Sequence, residues 1–562
     1  MDMPAFGEIT YERPSVEVFR ECVMRVRLRI MAARTAEVVE AAFMEFQKEY
    51  SHFETAMTMC MIRHSMNVKD DFYLGEVEFF EEASPVVSEL ATSVYKALAN
   101  TQLEAECKEK FGEMIFRKAH NRIDVVSKEI VPLLSKEAAL QNEYDRLLAE
   151  AVVPCRGKEY NLSTVTPLLE SRDRDERKDA AIAVADFYAD HSEQLDRIFD
   201  ELISLRTEMA KTLGYENFVE LGYKRMERYD FSPEMAEEFR NLVLAYIVPI
   251  TKEIRRLQME RLDCGELKFY DLRTLFASGN PYPVIEEEAF SGAVAEMFRE
   301  IFEKEPSFYD VLESHGFTDL EPRFNKSTGG FCTTLLDYGI PFVFLNANRL
   351  AEDVTTLIHE CGHAYAAIRS AECSPFFECL APTLETCEIH STAMEYLSYP
   401  YMEKFFGDGA EAYRELHMTQ SLLFLPYGCM VDEFQHIVYT KPDLRPQERH
   451  QVWKTLEEKY QPYLDYDDIS FYEKGGAWLM KGHIFTDPFY YIDYCLAQVA
   501  ALDLWDISTS HYRKALLRYD QLCMEGGTAA FMELLDKSRL SSPFSEATMK
   551  RVAYKACSFL AL

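Results

Sequence analysis

Thr356–Ser370 reads TLIHECGHAYAAIRS. Counting about 100° per residue, Val354, Leu357, Ile358, Cys361, Tyr365 and Ile368 gather on one side of a helix, and His359 and His363 fall near the opposite side with Thr355, Thr356 and Ser370. Glu352 and Asp353 near the start and Arg369 near the end suit the helix macrodipole, which supports one continuous helix through the stretch. Side chains at i and i+4 project side by side, so two neutral imidazoles can give two ligands to one tetrahedral zinc. Glu360 then points beside the ion and is free to act as a base. A chance HExxH is the bland alternative, and a third ligand decides between them.

Several ligand sets are excluded by spacing. Arg369 and Ala366 stand where a HExxHxxGxxH site needs its third histidine and its glycine. Pro382 and Thr383 occupy places where thermolysin-like and aminopeptidase-like patterns need a glutamate. Downstream, PTLETCEIHSTAMEYLSYP is framed by Pro382 and Pro400 and predicts a helix bearing Glu385, Glu388 and Glu395. Composition does not choose among these three.

Working outward, the segments AAFMEFQKEYSHFETAMTMCMIRHSM and ELISLRTEMAKTLGY carry apolar residues at helical spacing, so the first half is helical. Between Asp263 and Asn348 the turn-rich CGEL, SGNPYP and EPRFNKSTGGF and the apolar PFVFLNAN predict a small sheet. A boundary near residue 190 divides an amino-terminal helical domain, 1–190, from a catalytic domain, 191–562.

With 95 acidic against 60 basic residues the formal net charge is −35, which disfavours DNA, RNA and anionic membranes as partners, since such binding depends on Lys and Arg. The start, MDMPAFGEITYERPSVEVF, is unlike a secretory signal. The longest membrane candidate, LLFLPYGCMV from Leu422, is short and interrupted by Pro and Gly. The 14 cysteines form no CxxC pair, which disfavours a disulfide framework or a cysteine zinc site. These features predict a cytoplasmic protein.

HECGHA and CEIHSTAMEY, at the interval seen here, resemble the thimet oligopeptidase family of zinc metallopeptidases, in particular its oligoendopeptidase F branch. GGFCTTL, PFVFLNAN, HIFTDPFYYIDYCLAQ, EGGTAAFMELL and SSPF follow that branch in the same order, and ELGYKRMERYDFSPE extends the likeness to mid-chain. The resemblance implies a mostly α, multi-lobed body with a deep central channel and a small sheet beside the HExxH helix. It implies one Zn2+ held by His359, His363 and Glu388, with Glu385 the runner-up. It further implies that His483 and tyrosines from its region, Tyr494 first and then Tyr491 and Tyr490, bind substrate and stabilise the oxyanion. Cys361 stands where the family more often has a bulkier residue, which suggests sensitivity to thiol oxidation.

In such a site zinc makes a water acidic, Glu360 takes its proton, and the proton later passes to the leaving amine. Strand PFVFLNAN, with Phe342 and Phe344, is expected to pair with extended substrate as an edge strand, and Gly329 and Gly330 to let the backbone approach it. The expected activity is endopeptidase cleavage of oligopeptides. The alternatives are a zinc carboxypeptidase on a similar helical fold and a non-catalytic zinc-containing peptide-binding protein; retention of Glu360 disfavours the latter.

Overall fold

The computed structural model describes residues 4–347 and 350–562. Asn348, which closes PFVFLNAN, and the first three residues of the amino-terminal stretch lie outside them. Helices carry most of the described chain, with one two-stranded hairpin and one three-stranded sheet. The mostly α class expected from the sequence is what the chain adopts.

Helices Val16–Ala32, Ala36–Met66, Asp71–Ala99 and Glu113–Val125 form a bundle with its own apolar core. Ser15 and Asp70 open two of them by accepting backbone N–H bonds, from Val18 at 3.3 Å and Phe72 at 3.0 Å, which satisfies part of each first turn's orphan donors. Phe43, Phe46 and Tyr95 pack in stacked and edge-to-face pairs at the centre. A second, larger core takes in Tyr144 of helix Val131–Ala149 and Val184 and Tyr188 of helix Arg174–Asp190, and continues toward the carboxyl end. Both helices fall within residues 131–190 and pack with this larger core.

The two cores meet at the loop that leaves helix Ala351–Ala371. Phe376 packs on Phe43, ring centroids 5.9 Å apart. Buried Glu378 accepts a hydrogen bond from Gln47 Nε2 at 2.6 Å and another from the Tyr95 hydroxyl, while Lys118 Nζ donates to the Glu378 carbonyl at 2.7 Å. Desolvation raises the Glu378 carboxyl above its ordinary value, against the opposing pull of the Tyr95 bond.

The hairpin pairs β1 (Val153–Cys155) with β2 (Lys158–Tyr160). The sheet is ordered β3 (Thr318–Asp319), β5 (Ile340–Leu345), β4 (Gly330–Leu335). β5 runs parallel to β3 and antiparallel to β4, with Cys332 opposite Val343 and Phe331 opposite Phe344. The run IPFVFL is buried at every position, as an apolar run covered on both faces should be. The edge strand expected at PFVFLNAN is therefore the middle of the sheet, because Thr318 and Asp319 pair with its far side. Phe342 and Phe344 are fully buried and offer no side chain to a substrate. The free edge is β4, half-buried from Gly330 to Thr334. A Cβ on Gly330 would lie 2.9 Å from both Leu345 Cδ1 and Thr356 Cγ2, so glycine lets β4 begin against the helix that carries HECGH.

Three helices frame that motif: Ala351–Ala371, Leu384–Leu397 and Tyr491–Glu525, the last kinked at His511. The first two cross so closely that a Cβ on Gly362 would sit 2.6 Å from the His390 carbonyl oxygen and 2.8 Å from Ser391 Cα. The Tyr519 hydroxyl donates to the same carbonyl at 3.0 Å. The LLFLPYGCMV stretch sits within helix Ala410–Thr440, which continues through Pro426. Among the described residues, no helix is long and apolar enough to cross a membrane.

Candidate metal centre

His359 and His363 stand one turn apart with ring centroids separated by 5.0 Å. From the facing helix, Glu388 brings Oε2 to 3.3 Å from His359 Nε2 and 3.8 Å from His363 Nε2. The three potential ligand atoms lie within 4.8 Å of one another. Donors bound tetrahedrally to zinc at 2.0–2.1 Å are themselves about 3.4 Å apart, which is close to the spacing found. Glu385 turns elsewhere: its Oε1 accepts from Thr383 Oγ1 at 2.6 Å, and burial followed by the neighbouring charge of Asp493 raises its pKa.

The surroundings decide which nitrogen of His359 is free. Glu395 lies two turns beyond Glu388 on the same helix face and its Oε1 is 2.7 Å from His359 Nδ1. Its Oε2 is 2.6 Å from His417 Nε2, and His417 Nδ1 is 2.7 Å from the Tyr399 hydroxyl. A proton on Nδ1, shared with Glu395, leaves the Nε2 lone pair aimed at Glu388, so lone pairs of His359, His363 and Glu388 converge on one point. That donor set fits a divalent cation. Burial opposes ionisation of His359, but Glu388 and Glu395 outweigh it and push its pKa up. Burial and the charge of His359 hold His363 down at about 4. Glu388 feels burial upward, yet the His359 bond, the histidine charges and the Tyr490 bond bring it down to about 2.

Glu360 is buried beside the trio, not aimed into it. Desolvation, with the Glu388 charge, raises it to about 7 against the pull of His359 and of a hydrogen bond from the Cys332 backbone on β4. A carboxylate tuned there can take a proton and return it. Cys361 is fully buried and its thiol pKa is raised well above normal by that burial and by Glu360, so the thiolate that oxidation requires is suppressed.

Across from these groups, Tyr490 donates to Glu388 Oε1 at 2.5 Å. Tyr494 lies one turn on, and its ring meets that of Tyr490 edge to face at 4.8 Å. His483 stacks on Tyr490 at 5.7 Å and lies 6.0 Å from Tyr494; burial and the charge of Lys481 lower its pKa, keeping it neutral. Tyr491 is turned away: it is buried, packs on Phe424 and Tyr427, and its hydroxyl accepts from Lys481 Nζ at 3.0 Å. The helix explains the division, since residues four apart share a face and the next residue lies about 100° round. Beside Tyr490 a cavity opens between Phe218, Met226, Leu384 and Pro488.

Sequence reasoning found no role for Gly362, His417 or Tyr399, and left Glu395 among the ligand candidates. Gly362 carried a signal inside its motif. His417 carried none, being a single histidine on an otherwise ordinary helix.

Residues 6–126 match the Peptidase M3 N-terminal domain, and residues 167–554 match Peptidase family M3. Oligopeptidase PepF of Bacillus subtilis (strain 168) is 23% identical over 401 residues, 66% of this chain and 54% of that protein, so the match spans about half of the relative's length. PZ peptidase A, solved with an inhibitor, superposes with a TM-score of 0.95 at 38% identity and 99% coverage of each chain. A protein of Bacillus anthracis str. Ames described as an oligoendopeptidase F gives 0.90 at 36% identity, covering 100% of this chain and 99% of that one. These matches bear out the likeness carried by HECGHA and CEIHSTAMEY. With a single family spanning most of its length and the HExxH helix at its centre, the chain belongs to peptidase family M3.

Proposed function

We propose that the chain is a zinc endopeptidase that hydrolyses internal bonds of oligopeptides admitted to a channel between its helical lobes. The observation that carries this reading is the placement of Glu360: a buried carboxylate beside three converging lone pairs, next to the free edge strand β4. A structural metal site has no use for that base.

His359, His363 and Glu388 would hold the ion, which when bound supplies Lewis acidity to a water and to the scissile carbonyl. The chain's own groups do the rest. β4 presents unpaired backbone groups to an extended peptide, binding that is indifferent to sequence. Glu360 Oε accepts the water's proton and delivers it to the departing amine nitrogen. The hydroxyls of Tyr494 and Tyr490, with neutral His483, face the position where the carbonyl oxygen gains charge. The recess beside Tyr490, lined by Phe218, Met226, Leu384 and Pro488 and also by Arg225, Thr486 and Asp487, offers a mixed apolar and charged surface to a substrate side chain. Every residue given a role lies within 191–562, the part read from the sequence as the catalytic domain. The 14 free cysteines suit a reducing cytoplasm.

Internally quenched peptides with free and blocked termini, read by mass spectrometry, test the activity. Internal cuts in peptides with blocked ends are expected, and removal of single residues from free carboxyl ends would establish a carboxypeptidase instead. Glu360→Gln should retain the metal and lose turnover by about 100- to 10,000-fold, the range for a positioned acid–base group; normal turnover with metal retained would end this mechanism.

A further inference from the structure

The reaction makes no use of the stretch ELGYKRMERYDFSPE, yet two of its residues hold the turn that leads into helix Tyr491–Glu525. Phe489 forms that turn. Its φ is 71°, in the left-handed region that bulky side chains rarely enter, and it is fully buried. The next residue, Tyr490, is already helical, with φ −63° and ψ −33°, and no side chain caps the helix. The backbone of Phe489 therefore sets how the first turn is rotated about its axis. Since successive residues lie about 100° apart round a helix, a rotation of that size would take Tyr490 and Tyr494 off the metal ligands.

A backbone in this conformation persists only where its surroundings over-determine it, and here both of its polar groups are held. Arg228 Nη2 donates to the Phe489 carbonyl at 2.5 Å, and the Phe489 N–H donates to Gln435 Oε1 at 2.8 Å. The same Nη2 donates to Asp493 Oδ1 at 2.7 Å, one residue before Tyr494, so the guanidinium ties the turn to the start of the helix. Both side chains of that ion pair are fully buried. The guanidinium carbon lies 4.3 and 5.1 Å from the ring centroids of Tyr223 and Phe231, which fixes its plane. Its Nε and Nη1 have no hydrogen-bond partner among the described residues, so its bonding is directed wholly at this turn. Gly222 makes room for the ring, because a Cβ there would fall 2.5 Å from Phe489 Cδ2. A buried ion pair adds little stability over apolar packing; what Arg228 adds is direction.

We propose that Arg228 is a positioning residue for the oxyanion donors: by holding Phe489 in its left-handed turn it aims Tyr490 and Tyr494 at the metal centre and keeps Tyr491 out of it. The proposal rests on the endopeptidase reading for the role of those tyrosines. Arg228 touches neither the ligands nor the substrate and acts only through the helix start.

The test compares metal-loaded wild type, Arg228→Met, Tyr494→Phe and the double variant on one quenched peptide. Misaimed donors should lower kcat in Arg228→Met by about 100-fold, the scale of an ångström-sized displacement in an active site, with KM little changed. Because Arg228 acts through the tyrosines, the double variant should be no slower than the slower single variant, whereas independent losses would multiply. Arg228→Lys, which can still donate to the Phe489 carbonyl, should recover part of kcat. Release of the metal to a chelator gives a reading that needs no peptide. Arg228→Met should speed it as Tyr490→Phe does, since that hydroxyl donates to Glu388, and adding Arg228→Met to Tyr490→Phe should speed it no further. If Arg228→Met fails to fold, Gln435→Met carries the same comparisons, because it frees the Phe489 N–H without unpairing Asp493. The proposal is overturned if kcat is unchanged, or if the loss multiplies with that of Tyr494→Phe, the mark of a general loosening. In both of those cases internal cutting continues and the endopeptidase reading stands. If the wild type makes no internal cut, that reading fails, and the chelator comparison alone decides the role of Arg228.

Discussion

His483 and the tyrosines differ in what their hydroxyl or ring nitrogen can reach. Tyr494→Phe removes a hydroxyl facing the site while keeping its ring, so kcat should fall by about 100- to 1,000-fold, the scale of one oxyanion donor, with metal content unchanged. Tyr490→Phe should also weaken metal retention, because that hydroxyl donates to Glu388. Tyr491→Phe should alter kcat far less than either. Stopped-flow rates alongside metal analysis separate the three, and a crippled Tyr491→Phe beside a silent Tyr494→Phe would overturn the arrangement. The histidine pair was legible in the sequence because i and i+4 share a helix face whatever surrounds them. The glutamates were not: Glu388 and Glu395 are two turns apart on one face, and only the ring of His359 between them makes one face Nε2 and the other Nδ1.

Helix-to-helix contacts hold the ligands at their separation. Glu395→Gln weakens the acceptor that fixes the His359 tautomer, so metal affinity should drop about 10- to 100-fold, as is usual for such orienting partners, measured by competition with a chelator. Gly362→Ala places a methyl group against the His390 carbonyl, forcing the helices apart. A loss of about 1–3 kcal/mol is expected from overpacking of this kind, with weaker metal binding, readable by denaturant titration of the apo and loaded forms. Unchanged metal affinity in that variant would show that the crossing does not set the ligand spacing. Strand PFVFL was legible as a strand from its length and apolar run. Its central place was not, since that depends on pairing with distant Thr318 and Asp319, which leave no local trace.

The two cores are joined through a buried carboxyl whose ionisation burial disfavours. The folded-state pKa of Glu378 is raised, so its stabilising contribution is fully present below the ordinary carboxylate value and is lost as pH rises through the folded value. Glu378→Gln should remove that loss, making the segment around Phe376 and Glu378 more protected from hydrogen exchange at neutral pH than in the wild type, with the difference shrinking toward pH 4.5. An equal difference at both pH values would rule out titration of Glu378 as the cause. Helical lobes were foreseeable from periodicity along the first half. Their division was harder to read, because helices Val131–Ala149 and Arg174–Asp190 look like their neighbours in sequence and pack with the far core.

The crossing at Gly362 also bears on which ions the protein can accept. Backbone meets backbone there, so the gap between the two ligand-bearing helices is set by hard contact and not by side chains that can re-pack. Ions bonded at 2.0–2.1 Å suit such a fixed gap, whereas calcium, with bonds of 2.3–2.6 Å and six to eight oxygen ligands, would have to part the helices to enter. A site whose ligand spacing is fixed by that contact would discriminate among ions by radius, through a single missing methyl group.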